Sequence, residues 1–221
     1  APGARRRTAR RQGAGQGGPA PAGAGQLVEV VDSGKGWGLG LRAVGDLARG
    51  TVLLDEAPLF VQGREVPASD SVAAFRRLDP DRRAALLALA GHQGDDLSEV
   101  GYSGDDLTFL RVLRTNSVAR PGGGSALYPS ACRANHSCIP NAALRVVDGD
   151  RMNLVALRAI GAGEDVFVSY IGEGDLLKPQ GHRQRRLGTW GFTCACPRCR
   201  RPDDTRGFVC PTCSCGHVYP A

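Results

Sequence analysis

Three cysteines within six residues constrain the fold of this chain more than any other feature. They lie in the run Cys194-Ala195-Cys196-Pro197-Arg198-Cys199. The spacing is too tight for a disulfide framework and is typical of thiolates that converge on one Zn²⁺. Tetrahedral structural zinc needs a fourth ligand, for which Cys138 is the first candidate and Cys132 the alternative. If Cys138 completes the site, residues 194–199 must lie against the segment around residue 138.

Cys138 belongs to a polar heptad, Asn135-His136-Ser137-Cys138-Ile139-Pro140-Asn141. The heptad brings two amides, an imidazole and a thiol into seven residues. Buried amides and imidazoles must be hydrogen-bonded. A cysteine with a functional role, rather than a packing role, usually acts as a thiolate that binds a metal. The heptad therefore indicates a functional site.

Composition limits the size and class of the protein. The chain has 221 residues, 42% of them hydrophobic, which is enough for one good core with a small appended module. It contains no run of about 18 apolar residues, so we expect no membrane span. The net charge is +6, but five positive charges are arginines within residues 5–11. The rest of the chain is nearly neutral, and we do not expect direct nucleic-acid binding.

Residues 1–26 form a basic, low-complexity tail of Gly, Ala, Pro, Gln and Arg without an acidic residue. Such a segment has almost nothing to bury, so we expect it to be disordered. Because the segment is rich in arginine, an organellar transit peptide and a nuclear localisation signal are alternative interpretations of it. We expect the protein in the nucleus, the cytoplasm or both.

Residues 27–180 read as short strands joined by tight turns, interrupted by helices. Alternation predicts a strand at Leu27–Val31, and a glycine-rich turn follows at residues 34–40. Strands broken by Pro58 are expected within Thr51–Val61, and Asp148-Gly149-Asp150 predicts a hairpin between 143–147 and 152–157. A further strand is expected at Asp165–Ile171. The pattern predicts a mainly β, α+β fold rather than alternating βαβ units.

A helical insertion is expected at about residues 62–116. Asp79-Pro80 is typical of a helix start, and this helix should run to about Ala90, with Gly91 as its stop. A second helix should begin at Asp105 or Asp106 and run toward Asn116. Leu86, Leu87 and Leu89 are predicted core residues.

Residues 202–221 contain a second cysteine cluster. This segment is interpreted either as a zinc knuckle or as the start of a truncated C-terminal region. Cys210 and Cys213 have the spacing of a zinc ligand pair, and Cys215 or His217 would complete the site. A truncated module and an exposed, redox-sensitive group of thiols are the alternatives.

Four elements occur in the order seen in SET-domain protein lysine methyltransferases, which this chain resembles over about residues 27–200. These elements are the Lys35-Gly36-Trp37-Gly38-Leu39 turn, the Asn135–Asn141 heptad, Gly163-Glu164 with Val168-Ser169-Tyr170-Ile171, and the cysteines of residues 194–199. Residues 114–117 and 127–130 are most similar to the SET-and-MYND branch. The resemblance implies a SET-domain fold of short strands and tight turns, followed by a zinc-binding post-SET segment at residues 181–201.

The resemblance also implies roles for individual residues. S-adenosylmethionine would lie along Lys35, Gly36, Trp37 and Gly38, and would contact Asn116, Asn135, His136, Tyr170 and Phe192. Tyr170 would be the catalytic tyrosine, and Trp190 would line the lysine channel. Zn²⁺ would be held by Cys138, Cys194, Cys196 and Cys199.

Methyl transfer to a lysine needs alignment and exclusion of water rather than an acid–base pair, and the chain shows no convincing hydrolase constellation. We expect a monomer acting on a histone or another protein. The 58–116 segment lacks cysteine, so we expect no MYND zinc module, and the long helical C-terminal domain of that branch is expected to be missing.

Two other functions stay open. One is an inactive SET-fold scaffold. The other is a zinc-dependent nucleic-acid binder, for which the evidence is a set of arginines near the cysteines. A solvated basic face, or one that attracts acidic substrate segments, is the simpler interpretation of that set, which comprises Arg183, Arg185, Arg186, Arg198, Arg200 and Arg201.

Overall fold

The computed structural model describes residues 26–34, 38–91, 101–203, 205 and 207–218. The expected disordered tail up to residue 25, the Lys35-Gly36-Trp37 turn and the His217 side chain lie outside the described part. The strands are β1 Val28–Asp32, β2 Leu39–Ala43, β3 Val52–Glu56, β4 Phe60–Gln62, β5 Val118–Ala119, β6 Ser125–Leu127, β7 Asn135–His136, β8 Ala142–Val146, β9 Met152–Ala156, β10 Asp165–Val168, β11 Phe208–Val209 and β12 His217–Val218. The helices are α1 Ala68–Arg76, α2 Pro80–Leu87, α3 Gly104–Asn116, α4 Glu173–Leu176 and α5 Gln180–Leu187.

A four-stranded sheet of order β1-β2-β10-β7 brings the heptad to the end of β10. β1 and β10 pair antiparallel with β2, whereas β7 runs parallel to β10, with Phe167 opposite Asn135 and Val168 opposite His136. The carboxyl ends of parallel strands meet at one edge of a sheet. The chain therefore leaves β7 toward Cys138 and leaves β10 toward Tyr170 at the same edge.

A second sheet, of order β3-β9-β8, packs on the first around a shared apolar core. The hairpin predicted from Asp148-Gly149-Asp150 is confirmed, and Gly149 supplies the left-handed backbone of its turn, with φ of 65°. The strands predicted at Leu27–Val31 and on both sides of Pro58 are confirmed as well.

The helical insertion forms its own core against a third sheet of order β4-β6-β5. Phe109 of α3 stacks on Phe75 of α1 with ring centroids 4.4 Å apart, and Phe60 meets Phe109 edge-on at 5.1 Å. Leu86 and Leu89 are buried in this core as predicted, while Leu87 is half-buried. Among the described helices, none is long and apolar enough to cross a membrane.

The start of α2 is as predicted, but its predicted end at Ala90 is wrong. The Asp79 carboxylate accepts a hydrogen bond from the Arg82 backbone N–H at 2.9 Å, as a helix cap does. The helix ends at Leu87 because its last turn tightens, with Leu89 N–H donating to the Leu86 carbonyl at 3.1 Å.

Candidate active site and metal centre

Four buried cysteines form a compact group that suits a metal ion. The sulfurs of Cys138, Cys194, Cys196 and Cys199 all lie within 4.8 Å of one another, and those of Cys138 and Cys199 are 3.6 Å apart. Sulfurs held about 2.3 Å from a tetrahedral Zn²⁺ are roughly 3.8 Å apart. A set of four thiolates also favours zinc over harder cations such as Mg²⁺ or Ca²⁺. The donor set and its spacing therefore fit the expected zinc.

A buried arginine compensates the charge of this group. Contacts with the thiols of Cys138 and Cys194 lower the pKa of Cys196 far below its usual value. The Arg183 guanidinium is buried, donating from Nη2 to Cys199 Sγ at 3.7 Å and from Nη1 to the Lys178 carbonyl at 2.7 Å. Zn²⁺ with four thiolates carries a net negative charge, which this cation offsets.

The interpretation of the nearby arginines as a solvated face is wrong for two of them. Arg183 is buried, and half-buried Arg198 donates from Nη1 to the carbonyls of Leu176 at 2.7 Å and Cys138 at 3.5 Å. Both side chains lie toward the interior because they donate hydrogen bonds to carbonyl and sulfur acceptors around the cysteine group. The charge pattern of the sequence does not reveal these acceptors.

Cys132, the alternative fourth ligand, lies apart from the four clustered cysteines. Its sulfur accepts the Tyr128 backbone N–H and contacts the Asn116 carbonyl, both at 3.4 Å. Burial raises the pKa of the Cys132 thiol to about 12. The thiol is therefore a neutral packing group beside the helical insertion.

The His136 ring connects the cysteine group to Tyr170. Its Nδ1 accepts the Tyr170 backbone N–H at 3.0 Å, and its Nε2 lies 3.4 Å from Cys138 Sγ. Burial lowers the pKa of the imidazole to about 4, so the ring is neutral and carries its proton on Nε2, facing the sulfur. Both ring nitrogens thus have protein partners, and the expected contact of the His136 side chain with a cofactor does not fit this geometry.

Asn141 fixes the other end of the heptad. Its Oδ1 accepts the Phe167 backbone N–H at 2.7 Å, while Nδ2 donates to the Asp165 carbonyl at 2.9 Å and to Glu164 at 3.1 Å. The side chain is buried, so these bonds replace the water that it loses. Asn141 is therefore a structural clamp between the heptad and β10.

A cavity of about 1340 Å³ opens between the first sheet, the helical insertion and the cysteine-bearing segment. Its volume exceeds the roughly 300–1,000 Å³ of a typical ligand pocket, leaving room for a cofactor and a substrate side chain together. Seven predicted cofactor and channel residues line it, namely Gly38, Asn116, Asn135, His136, Tyr170, Trp190 and Phe192. The structure thus gathers every predicted cofactor and channel residue that it describes.

Tyr170 lies among aromatic rings at the edge of this cavity. Its hydroxyl donates to the Ala134 carbonyl at 3.0 Å, and burial raises the pKa of that hydroxyl to about 12. The rings of Trp190 and Phe192 lie 5.7 and 6.2 Å from the Tyr170 ring, centroid to centroid. Left-handed Gly191, with φ of 76°, reverses the chain between them. The hydroxyl therefore stays protonated in an apolar enclosure.

The two cavity amides are held by backbone carbonyls. Asn135 Nδ2 donates to the Leu39 carbonyl at 3.2 Å. Asn116, at the end of α3, donates from Nδ2 to the carbonyls of Ala90 at 2.6 Å and Val112 at 3.0 Å. Each amide group is thus oriented by the protein itself.

The carbonyls of Ala134 and Thr115 were not identified from the sequence. The first receives the Tyr170 hydroxyl, and the second accepts the Trp190 indole N–H at 3.2 Å. Backbone acceptors leave no residue-type signature, so only the fold reveals them.

Comparison with known proteins agrees with this arrangement. A family model described as the SET domain matches residues 38–171. The human N-lysine methyltransferase SMYD2 is 39% identical over 87 residues, covering 39% of this chain and 19% of the relative. The SET domain and MYND-type zinc finger protein 6 of Schizosaccharomyces pombe is 39% identical over 84 residues, covering 38% and 17%. The Arabidopsis thaliana histone-lysine N-methyltransferase ATXR2 is 39% identical over 110 residues, covering 43% and 23%.

This chain spans about a fifth of the length of these curated relatives. Among solved structures, the SET domain of LSMT bound to lysine and AdoHcy superposes with a TM-score of 0.51 at 15% identity. The match covers 78% of this chain and 54% of the other. The family match spans well over half of the sequence and includes β2 to β10 and the heptad; the chain belongs to the SET-domain family.

Proposed function

We propose that this chain is a protein-lysine N-methyltransferase that uses S-adenosylmethionine. The observation that carries the proposal is the Tyr170 hydroxyl, fixed on the Ala134 carbonyl inside an aromatic-lined cavity. Relatives described as lysine methyltransferases, and a solved neighbour bound to lysine and AdoHcy, support it.

The cavity residues fit the expected cofactor. The amides of Asn116 and Asn135 provide polar groups on one part of the wall, and Phe192 and Trp190 provide flat apolar surfaces on another. A cofactor with an amino-acid end and an adenine ring needs both kinds of wall. We assign Gly38, Asn116, Asn135 and Phe192 to binding it, together with the main chain of His136.

When bound, S-adenosylmethionine supplies the electrophilic methyl group. The chain's own task is to align a lysine amine and to exclude water. Trp190 and Tyr170 surround the amine with apolar surface, which lowers the amine pKa and favours the neutral nucleophile. The Tyr170 oxygen and the Ala134 carbonyl then fix the direction in which the amine points.

The experiment compares Tyr170→Phe with Tyr128→Phe. Each variant loses one buried hydroxyl that donates to a carbonyl, of Ala134 at 3.0 Å or of Asp150 at 2.8 Å. We expect Tyr170→Phe to keep cofactor affinity in calorimetry and to lose at least about 100-fold in methyl transfer, because its alignment group is gone. The assay uses labelled S-adenosylmethionine with histones and a cell extract.

Tyr128→Phe should keep its transfer rate, since Tyr128 follows β6 outside the cavity lining and its hydroxyl reaches the Asp150 carbonyl before β9. Equal rates in Tyr170→Phe and the unmodified chain would remove Tyr170 from the mechanism. Failure of the unmodified chain to bind S-adenosylmethionine would favour an inactive scaffold.

A further inference from the structure

The hairpin of β11 and β12 has short strands and few buried side chains to stabilise it. Each strand has two residues, and Phe208 pairs with Val218 while Val209 pairs with His217. Three apolar side chains of the hairpin are exposed, namely Phe208 at 61%, Val209 at 57% and Val218 at 46%. Of the side chains described between residues 207 and 218, only that of Cys210 is half-buried and the others are exposed. An isolated two-stranded hairpin is marginal in water, so this one needs another source of stability.

The loop of the hairpin repeats the turn found in the four-cysteine group. Both loops have the sequence Cys-Pro-x-Cys, at 196–199 and at 210–213. In the first, the Arg200 backbone N–H donates to the Cys196 carbonyl at 3.1 Å. In the second, the Ser214 N–H donates to the Cys210 carbonyl at 2.9 Å. Each Cys-Pro-x-Cys turn is thus closed by the same kind of backbone hydrogen bond, from the residue after the second cysteine to the carbonyl of the first.

Three free thiols lie in this hairpin. The Cys213 thiol is within hydrogen-bonding contact of both Cys210 and Cys215. Among the described residues, only the first group brings all its ligand atoms within 4.8 Å, so a metal would have to draw Cys210 and Cys215 closer. A hairpin with two residues in each strand and exposed apolar side chains can make that adjustment.

We infer that Cys210, Cys213 and Cys215 bind a second Zn²⁺, separate from the first centre. Three thiolates form a soft donor set of the kind that selects zinc. His217 is the remaining residue of a metal-binding type in the sequence of this hairpin. Metal binding then supplies the folding free energy that the exposed side chains do not.

The test is the zinc content of the purified chain by mass spectrometry. We expect two zinc ions per chain, falling to one in Cys213→Ser with unchanged affinity for S-adenosylmethionine. Ser214→Ala, which alters the same loop without removing a thiol, should retain two. One zinc ion in the unmodified chain, or two in Cys213→Ser, would overturn the inference.

A second measurement does not depend on the variant folding. Exposed Cys213 and Cys215 should resist iodoacetamide in the unmodified protein and react after a chelator is added, because metal-bound thiolates are protected. Immediate alkylation without chelator would also overturn the second site. Neither measurement depends on methyl transfer, so failure here leaves the proposed function intact.

Discussion

At the scale of single residues, Gly40 and Asn135 show how closely the cavity wall is fitted. A Cβ atom built on Gly40 would lie 2.8 Å from Asn135 Nδ2, closer than Cβ contacts in real structures. Gly40 is on β2, and its backbone does not have the left-handed conformation that itself demands glycine. The glycine is therefore needed for space, so that the amide can reach the Leu39 carbonyl.

Gly40→Ala tests this fit. We expect the added methyl group to displace the Asn135 amide and to weaken S-adenosylmethionine binding by about 5-fold to 100-fold, which corresponds to an overpacking cost of ~1–3 kcal/mol. Gly45→Ala is the matched control, since its Cβ would meet nothing within 4 Å. Calorimetry measures both variants, and equal affinities would show that Asn135 is not part of the cofactor wall.

The roles of single residues could be predicted where the interacting groups are close in sequence. They could not be predicted where a side chain's partners are distant in sequence. Three thiols in six residues call for a fourth, so Cys138 could be proposed from the sequence as the first candidate. The role of His136 could not be predicted, because its two partners are a backbone N–H 34 residues away and a sulfur whose position depends on the fold.

At the scale of elements, the post-SET segment depends on its cysteines. Cys138, Cys194, Cys196 and Cys199 form one apolar cluster with Ile171 and Leu187, and the rings of Trp190 and Phe192 pack against it. Metal binding at the four thiols should therefore govern the order of the aromatic cavity wall.

Metal removal tests this dependence, best in Cys213→Ser so that the first centre is examined alone. We expect a chelator to lower the unfolding midpoint by at least about 5 °C, equivalent to ~1–2 kcal/mol for a chain of this size, and to weaken cofactor binding. Differential scanning calorimetry measures the first effect, and zinc-saturated chelator serves as control. An unchanged midpoint after verified zinc loss would contradict the structural role.

Elements were predictable from the sequence when their ends carried a chemical signal. Asp79-Pro80 marks the start of α2 because its cap bond is made within four residues. Helix α1 was not predicted, since its first turn follows Pro67 without a side-chain cap. Packing of Phe75 on Phe109, which lies 34 residues further along the chain, stabilises α1. Such a contact leaves no pattern in the sequence around the helix.

At the scale of the whole molecule, the cavity is closed by distant parts of the chain. The Trp190 indole N–H donates to the Thr115 carbonyl at the end of α3, joining residues 75 positions apart. The SET-domain fold was predictable from the order of motifs, and its helical insertion from the helix signals at Asp79-Pro80 and Asp105 or Asp106. The bond between the insertion and the post-SET segment was not, since one partner is a backbone atom.

Trp190→Phe tests this connection, because it keeps a ring beside Tyr170 and removes the indole donor. We expect the free energy of unfolding to fall by about 0.5–1.5 kcal/mol, the usual contribution of one hydrogen bond, with unchanged zinc content. Guanidinium denaturation and metal analysis measure the two quantities. Unaltered stability would mean that the Trp190–Thr115 bond does not hold the cavity wall.

The two nitrogens of the His136 ring connect the first cysteine group to the backbone of Tyr170 beside the cavity. Nδ1 accepts the Tyr170 backbone N–H and Nε2 faces the Cys138 sulfur. A fixed position of the ring therefore orders both the cysteine group and the backbone of Tyr170. Linked binding free energies are reciprocal. If zinc strengthens the binding of a molecule beside Tyr170, that molecule must strengthen zinc binding by the same free energy. The cell's supply of either partner would then affect the occupancy of both sites.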